Sequence, residues 1–243
     1  MTYCLAMLLN EGIVCLSDTR TNAGLDNISK FRKSFTWEVP GDRSIVLMSA
    51  GNLAITQAVV GLLQENIDNP QPGIETLLSA QSMFRVAEIV GDAMRAIQQR
   101  HGSALAQMGE SSLASIIVAG QRAGGRPRLF HVYAAGNFIE ATEDSPYFQI
   151  GEHKYGKPII DRVITRETPL KTAVTAALLS MDSTLRSNLS VGMPLDLTVL
   201  RTDEFSISDQ RRIEADDPQF DALSKGWSQA LRDAFDEMDA LWN

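Results

Sequence analysis

With 243 residues, 44% of them apolar and 21% charged, the chain has enough material for a large core without a disulfide or a metal. Its formal charge of −8 argues against nucleic acid as a partner, because that affinity depends on clustered Lys and Arg. No apolar stretch approaches the roughly 20 residues that span a bilayer, and the apolar opening is too short for a signal peptide, so we expect a cytoplasmic protein that binds no membrane.

The first half of the chain predicts two strand pairs followed by two helices. Apolar runs at 3–9 and 13–17 flank a polar turn at 10–12, which is typical of a β-hairpin. A second pair is expected at 34–39 and 44–49, around a Pro-Gly-Asp turn. Two stripes of apolar residues at spacings of three and four then predict helices that pack on the sheet. The stripes are Leu53, Ile55, Val59, Leu62 and Leu63, and then Met83, Val86, Ala87, Val90, Met94 and Ile97.

The second half predicts more strands and then further helices. Residues 120–125 and Gly136 are interpreted as turns between strands. A third helix is expected from about Pro169, which suits a first helical turn, and a strand follows at 195–201. Four strand-like segments, taken together as a second sheet, precede that helix: 113–119, 128–133, 137–141 and 147–150.

Residues 217–243 predict a strongly amphipathic terminal helix. Asp217 suits the N-cap and Pro218 suits the first turn. Its apolar stripe either completes the chain's own core or docks on a neighbouring subunit, and both interpretations fit the sequence. The stripe consists of Phe220, Leu223, Trp227, Leu231, Ala234, Met238 and Leu241.

The order of these elements predicts an α+β fold. Strands, two helices, strands and two helices place the helices on the outer faces of mainly antiparallel sheets. We therefore expect a four-layer αββα sandwich of two mainly antiparallel sheets, with an added C-terminal helix. The chain 1–243 is expected to form a single domain, with 217–243 as its helical extension.

The cysteines and histidines predict no metal site and no cofactor. Cys4 and Cys15 lie inside apolar runs, without the close pairing of a zinc or redox site, so both are expected to be small core residues. His101, His131 and His153 lack a metal-binding spacing, and surface or structural roles are expected for them.

Thr2 is the first candidate for chemistry. Methionine aminopeptidases remove an initial Met before a small residue, so we expect Thr2 to become the first residue. Its hydroxyl would then be the nucleophile, and its own α-amine, with an ordinary pKa of about 7.7 to 8.0, would be the general base. While Met1 is attached, the Thr2 nitrogen belongs to a peptide bond and cannot act as a base.

Two charged residues fit the needs of such an amine. A nearby cation disfavours the protonated amine, and Lys33 can supply that charge, with Lys30 as a competitor. A carboxylate must then hold the lysine, and Asp18 ends the second predicted strand. Opposed positions in the N-terminal hairpin sum to about 20 to 22, which brings Asp18 and Arg20 beside Thr2.

The residues of this N-terminal region resemble, in order, the motifs of proteasome-type N-terminal-nucleophile hydrolases. The matching residues are Thr2, the run Leu16-Ser17-Asp18-Thr19-Arg20-Thr21-Asn22-Ala23-Gly24, Lys33 and Ser49-Ala50-Gly51. Beyond residue 51 the agreement rests on element order and on the segment 187–192. Within the family the sequence is most similar to the bacterial ancestral β subunits, called Anbu, because it lacks a propeptide and carries the terminal helix.

The resemblance implies a role for each matching residue. Thr2 would be nucleophile and base, Asp18 and Lys33 its charge partners, and the Gly51 N–H the oxyanion donor, a contribution of about 2.7 to 4 kcal/mol. Arg20, Ser187 and Ser190 would support the site. Main-chain groups near Thr21 and Asn22 would bind an extended peptide, and Ser49 and Leu53 would form walls of the specificity pocket.

Three positions depart from the family pattern. Lys33 is one residue closer to Thr2 than the family's lysine, so we expect the shortening to fall in the intervening loop. Ser187 stands where the family has a supporting Asp, and Glu152 stands where it has a supporting Ser. The last two changes alter the charge around the terminal amine.

The resemblance implies a threonine peptidase or amidohydrolase that forms an acyl-enzyme on Thr2 and needs no cofactor. It also implies assembly of identical subunits into a ring or helical stack that acts on a peptide or another amide. Two alternatives stay open: a non-catalytic scaffold subunit, and an amidase for isopeptide or γ-linked amides. The sequence does not identify an unfolding or amide-ligase partner.

Overall fold

The chain forms twelve strands and five helices in the part that the computed structural model describes, residues 1–22 and 28–242. Ala23 and Gly24 of the motif run lie outside the described residues. A 3₁₀ turn at Ala240–Trp242 follows the last helix. The strands are β1 Tyr3–Leu8, β2 Gly12–Asp18, β3 Arg20–Asn22, β4 Ile28–Lys30, β5 Ser34–Val39, β6 Arg43–Gly51, β7 Ala114–Arg122, β8 Arg128–Val132, β9 Phe138–Glu140, β10 Tyr147–Gly151, β11 Leu195–Arg201 and β12 Asp209–Ile213. The helices are α1 Leu53–Asp68, α2 Met83–Gln107, α3 Lys157–Val163, α4 Leu170–Ser187 and α5 Pro218–Asp239.

The strands build two antiparallel five-stranded sheets and a short ribbon. Sheet 1 has the order β10-β1-β2-β11-β12, sheet 2 has the order β5-β6-β7-β8-β9, and β3 pairs with β4. The predicted N-terminal hairpin is confirmed, and Cys4 lies opposite Ser17. The second predicted pair is also confirmed, with Ser34 opposite Met48.

The expectation that the strands between α2 and the later helices form a sheet of their own is wrong. β7, β8 and β9 extend the sheet begun by β5 and β6, whereas β10 crosses to sheet 1 and pairs with β1. The turn expected at 120–125 starts later, because β7 continues to Arg122 and pairs with β6 along its whole length. Sheet membership depends on contacts distant in sequence, which local patterns do not report.

Three apolar clusters show that the fold has four layers. One lies between sheet 2 and helices α1 and α2, and a second lies between sheet 1 and helices α3 and α4. The third lies between the two sheets. Successive residues of β1 face opposite clusters, with Leu5 toward the helices and Ala6 toward the other sheet, which explains why β1 reads as one continuous apolar run. The predicted αββα sandwich is therefore confirmed.

Helix α5 begins where the sequence predicts. The Asp217 side chain accepts hydrogen bonds from the N–H groups of Gln219 and Phe220, at 2.9 and 2.8 Å, and satisfies two donors of the first turn. Phe220 packs against the cluster of sheet 1, but no residue of α5 is buried, and Phe235 is 69% exposed. In the apolar stripe Phe220, Leu223 and Trp227 are half-buried, and the residues from Leu231 onward are exposed. Within the described residues, none of the helices is both long and apolar enough to cross a bilayer.

Candidate active site

The backbone around Thr2 is held by Asp18 at the end of β2 on one side and by Glu152 after β10 on the other. The next residue, Tyr3, donates its N–H to Asp18 Oδ1 at 3.0 Å, as the hairpin arithmetic predicts. The Thr2 carbonyl accepts the N–H of Glu152 at 2.7 Å. Gly151 has φ of +81°, and a Cβ there would lie 1.9 Å from the Thr2 carbonyl oxygen, so only glycine allows this approach. Thr2 is 9% exposed as a result.

Asp18 and Lys33 form a buried ion pair next to Thr2. Lys33 Nζ lies 2.7 Å from Asp18 Oδ1, and the two side chains are 4% and 0% exposed. The same ammonium donates to the Arg20 carbonyl at 2.5 Å and to the Met1 carbonyl at 3.4 Å. The Gly192 N–H donates to Asp18 Oδ2 at 3.2 Å. Every polar atom of the pair therefore faces a partner, as a buried ion pair requires.

Lys33, and not Lys30, is the lysine that reaches Asp18. Lys33 lies in the short linker between β4 and β5, outside both strands, so the shortened spacing does not reverse the face of a strand residue. Lys30 is exposed on β4, where it pairs with Arg20 of β3.

The charges of the site act on each other through a poorly solvated interior. Burial raises the pKa of the Asp18 carboxyl group, and the Lys33 ammonium with the backbone donors opposes that rise. Burial and the Lys33 charge lower the pKa of the Met1 amine, whereas Asp18 and Glu152 raise it in smaller measure. This end of the chain therefore favours a neutral amine.

The N–H of Gly51 lies at the β5 edge of β6, the edge at which Ser49 bonds to the Lys33 carbonyl. Ser49 donates its N–H to the Lys33 carbonyl at 2.9 Å, on the β5 side of β6. Asn52 donates its N–H to the Leu113 carbonyl at 2.9 Å, on the opposite side. Alternate N–H groups of a strand point to the same edge, so the Gly51 donor points the same way as that of Ser49. Gly51 has φ of +106°, and a Cβ would lie 2.3 Å from the Leu113 oxygen.

A pocket of about 930 Å³ lies against Thr2. Two carboxylates, Glu110 and Glu152, also line it. The walls include six of the residues that the sequence predicts for the site: Thr2, Thr21, Lys33, Ser49, Gly51 and Leu53. The structure thus brings the predicted nucleophile, lysine, oxyanion donor and pocket walls together around one space.

Arg20 and Asn22 lie farther from that space in their described parts. The Arg20 guanidinium donates to the Leu189 carbonyl at 2.9 Å and covers Gly192, where a Cβ would lie 2.1 Å from its Nε. Arg20 therefore holds the 188–192 loop, and its guanidinium does not bind Asp18. The backbone of Asn22 pairs with Ile28 in the ribbon.

Ser187 lies away from the pocket, whereas its neighbour Asn188 contacts Glu152 in the pocket wall. Ser187 is the exposed last residue of α4 and does not line the pocket. Asn188 is buried, donates its amide to Glu152 Oε2 at 3.0 Å and accepts the Ser190 N–H at 2.9 Å. Because the resemblance places the supporting residue at Ser187, the sequence prediction does not include Asn188. The signal was its place directly after the helix, where the chain turns inward.

Comparison with known proteins shows the family of the chain. Residues 2–200 match the family model described as proteasome subunit, which is more than half of the chain. The chain belongs to the proteasome subunit family. Comparison with curated proteins gives no match.

Solved structures of Anbu proteins are similar to almost the whole chain. A Gly-1 mutant of Anbu from Hyphomicrobium sp. strain MC1 is 50% identical with a TM-score of 0.91, and 97% of each chain is covered. Anbu from Yersinia bercovieri is 48% identical with a TM-score of 0.89, over 96% of each chain. A chain from the helical assembly of the Anbu complex from Pseudomonas aeruginosa is 46% identical with a TM-score of 0.91, covering 97% of this chain and 96% of that one. The resemblance to the ancestral β subunits is confirmed.

Proposed function

We propose that this chain is an N-terminal threonine peptidase or amidohydrolase that cleaves amide bonds through an acyl-enzyme on Thr2. The observation that carries the proposal is the buried Asp18–Lys33 pair, whose ammonium lies 3.4 Å from the carbonyl of Met1, directly before Thr2. An ion pair buried this completely is costly to build, and its placement beside a candidate nucleophile supports a catalytic role.

Removal of Met1 creates the base. The Thr2 nitrogen is bonded to the Met1 carbonyl carbon, so it lies within roughly 6 Å of Lys33 Nζ, close enough for the lysine charge to favour the neutral amine. That amine takes the Thr2 hydroxyl proton while Oγ attacks the substrate carbonyl carbon.

The reaction then proceeds in two halves. The Gly51 N–H stabilises the oxyanion of the tetrahedral intermediate, and the Thr2 ammonium returns its proton to the leaving amine as the C–N bond breaks. The remaining ester joins the acyl group to Thr2 Oγ. Water attacks that ester, with the same amine as base, and releases a carboxylate product and the free hydroxyl.

The substrate in this proposal is an extended peptide or a similar amide. Thr21 lies at the ribbon edge of the pocket, where main-chain groups of β3 can pair with an added strand, and Ser49 and Leu53 form the wall. An amidase for isopeptide or γ-linked amides would use the same nucleophile, so the two differ only in the shape of the bound chain.

We also propose that identical subunits assemble through α5 in the cytoplasm. Leu231, Phe235 and Met238 are exposed on this helix, and Leu241 is exposed in the 3₁₀ turn that follows, so a row of large apolar side chains is open to a partner. The similar Anbu chain from Pseudomonas aeruginosa belongs to a helical assembly. We treat residues 1–243 as one domain, with 217–243 as the extension that makes these contacts.

Covalent labelling tests the proposal. Natively produced protein should lack Met1 by intact mass and should form an adduct on Thr2 with a β-lactone or vinyl sulfone. The adduct should be lost in Thr2→Ala and kept in Thr2→Ser, since both hydroxyls are nucleophiles. Thr175→Ala removes an exposed hydroxyl of α4 and should label normally. A retained Met1, or equal labelling of Thr2→Ala, would favour the non-catalytic scaffold.

A further inference from the structure

Glu152 places a second carboxylate beside the N terminus. It follows Gly151 at the end of β10, and its backbone N–H binds the Thr2 carbonyl at 2.7 Å, so the two residues are held as neighbours. Glu152 is 8% exposed and lines the same pocket as Thr2. A carboxylate so poorly solvated needs a partner, because burial penalises its charge.

The partners of Glu152 leave most of its charge uncompensated. Asn188 donates a neutral amide to Oε2 at 3.0 Å. The nearest cation, Lys154, lies 3.9 Å from Oε1 and its side chain is 75% exposed, so water screens that pair. Within the described residues Oε1 has Lys154 as its one recorded partner and accepts no hydrogen bond, so it can accept one from a donor in the pocket.

The other charged and titratable side chains around Thr2 have partners elsewhere or show no hydrogen bond to Thr2. Lys33 and Asp18 are committed to each other, and the Arg20 guanidinium binds the Leu189 carbonyl. His153 is exposed, with Nδ1 3.2 Å from the Gly151 carbonyl. Glu110 is the other carboxylate of the pocket wall, and no hydrogen bond ties it to Thr2 within the described residues.

We propose that Glu152 is a positioning residue whose carboxylate accepts a hydrogen bond from the Thr2 ammonium and sets the pH above which that amine serves as the base. The inference rests on the proposed function, since it needs Thr2 to be the first residue. Lys33 favours the neutral amine and Glu152 favours the charged one, so the two side chains oppose each other across the same nitrogen. Asn188 aligns the carboxylate for this contact.

The sign of the effect follows from that opposition. An anion stabilises the ammonium, so removing the Glu152 charge lowers the pKa of the terminal amine, and the base form then persists to lower pH. In Glu152→Gln the amine pKa should fall by about one unit, which is tenfold in the protonation equilibrium. The pH profile of Thr2 acylation should move toward acid by the same amount.

Competitive acetylation measures the amine itself. Traces of acetic anhydride react only with the neutral amine, and mass spectrometry of the N-terminal peptide across a pH series gives its pKa without any need for catalysis. Glu143→Gln removes one charge from an exposed loop residue and serves as the control for net charge, with no expected shift. An unchanged amine pKa in Glu152→Gln would overturn the assignment.

Asn188→Ala separates charge from structure. This variant loses the hydrogen bond to Glu152 Oε2 but keeps the carboxylate charge, so the amine pKa should fall by clearly less than in Glu152→Gln. A fall of equal size in both variants would reveal a structural effect and refute the proposal. The proposed function fails separately: a shifted pKa without acylation of Thr2 would contradict the enzyme, whereas normal acylation with an unshifted pKa would contradict only the role of Glu152.

Discussion

The first strand of the chain and its last helix differ in where their side chains find partners. All six residues of β1 are buried between two clusters, whereas none of the 22 residues of α5 is buried. Both segments carry apolar residues, yet other parts of the same chain bury β1 completely and cover α5 only in part. The surroundings of Thr2 described above come from this chain itself, whereas the exposed apolar face of α5 is the surface that we propose for contacts with a second copy.

The comparison makes opposite predictions for the two regions. Changes near Thr2 should alter the stability of the single chain together with the chemistry. Changes on the exposed face of α5 should leave both intact and alter only the size of the assembly.

Lys33→Met is expected to have the largest effect. It leaves Asp18 buried without its cation, which costs about 3–5 kcal/mol in the free energy of unfolding and abolishes Thr2 labelling. Urea unfolding and adduct formation measure the two losses. Unchanged stability would contradict the view that the pair is buried and mutually dependent.

The pH dependence of that loss can be worked out from Asp18. Without Lys33, burial raises the pKa of the carboxyl group with no cation to oppose it. An acid whose pKa is higher in the folded state than its unfolded value of about 3.9 loses stability as pH rises. The free energy of unfolding of Lys33→Met should therefore be lower at about pH 8 than at about pH 5. The double variant Asp18→Asn with Lys33→Met has no such carboxyl group and should lack this dependence.

Gly51→Ala should have the next largest effect. Its Cβ would collide with the Leu113 carbonyl and force the backbone out of a positive φ, which costs roughly 2–3 kcal/mol and displaces the oxyanion donor. Acylation of Thr2 should fall at least about tenfold. Gly41→Ala is the matched control, since Gly41 has φ of +76° with no atom within 4 Å, and it should cost only about 1 kcal/mol. Equal effects on labelling would remove the case for Gly51.

Substitutions in the first turn of α5 should lower the stability of the chain, whereas those farther along its exposed face should alter the assembly. Phe220→Ala should cost about 1–2 kcal/mol, because Phe220 packs on the core of sheet 1. Phe235→Asp should change the unfolding free energy by less than about 0.5 kcal/mol and reduce the mass of the assembly in sedimentation. An assembly that survives Phe235→Asp unchanged would mean that α5 faces solvent for another reason.

The smallest effect is expected at the cysteines. Cys4 and Cys15 are buried, and burial raises the pKa of both thiols, that of Cys15 to about 12, so neither thiolate forms near neutral pH. Iodoacetamide should leave both unmodified in the folded chain, react with both in urea, and leave Thr2 labelling unchanged. Rapid modification of the native protein would show that β1 opens more readily than its burial implies.

The sequence was most informative where short-range chemistry decides the structure. Asp217 caps α5 as predicted, because a cap requires only neighbours two and three residues away. The facing of Asp18 and Tyr3 also follows from one hairpin, whose register is set by its turn. The linker position of Lys33 agrees with the expectation that the shortened spacing falls outside the strands.

The elements that the sequence prediction lacks are those whose structure depends on contacts distant in sequence. β12 and the ribbon strands β3 and β4 are short and show no apolar alternation, so pairing alone defines them. α3 has seven residues, too few for a periodic stripe. β10 joins sheet 1 only through β1, which lies far away in sequence. The sequence prediction names Ser187 and not Asn188, because a motif position does not show which side chain turns inward at the end of a helix.

The residues that hold Thr2 in place are synthesised much later than Thr2 itself. Gly151 and Glu152 contact the Thr2 carbonyl, and the Gly192 N–H donates to Asp18 Oδ2. All three residues leave the ribosome long after the first residues of the chain. At about 5–20 residues per second, the N terminus waits on the order of ten seconds before these groups emerge. An aminopeptidase that acts during synthesis would therefore meet an open chain end, before the pocket closes around it.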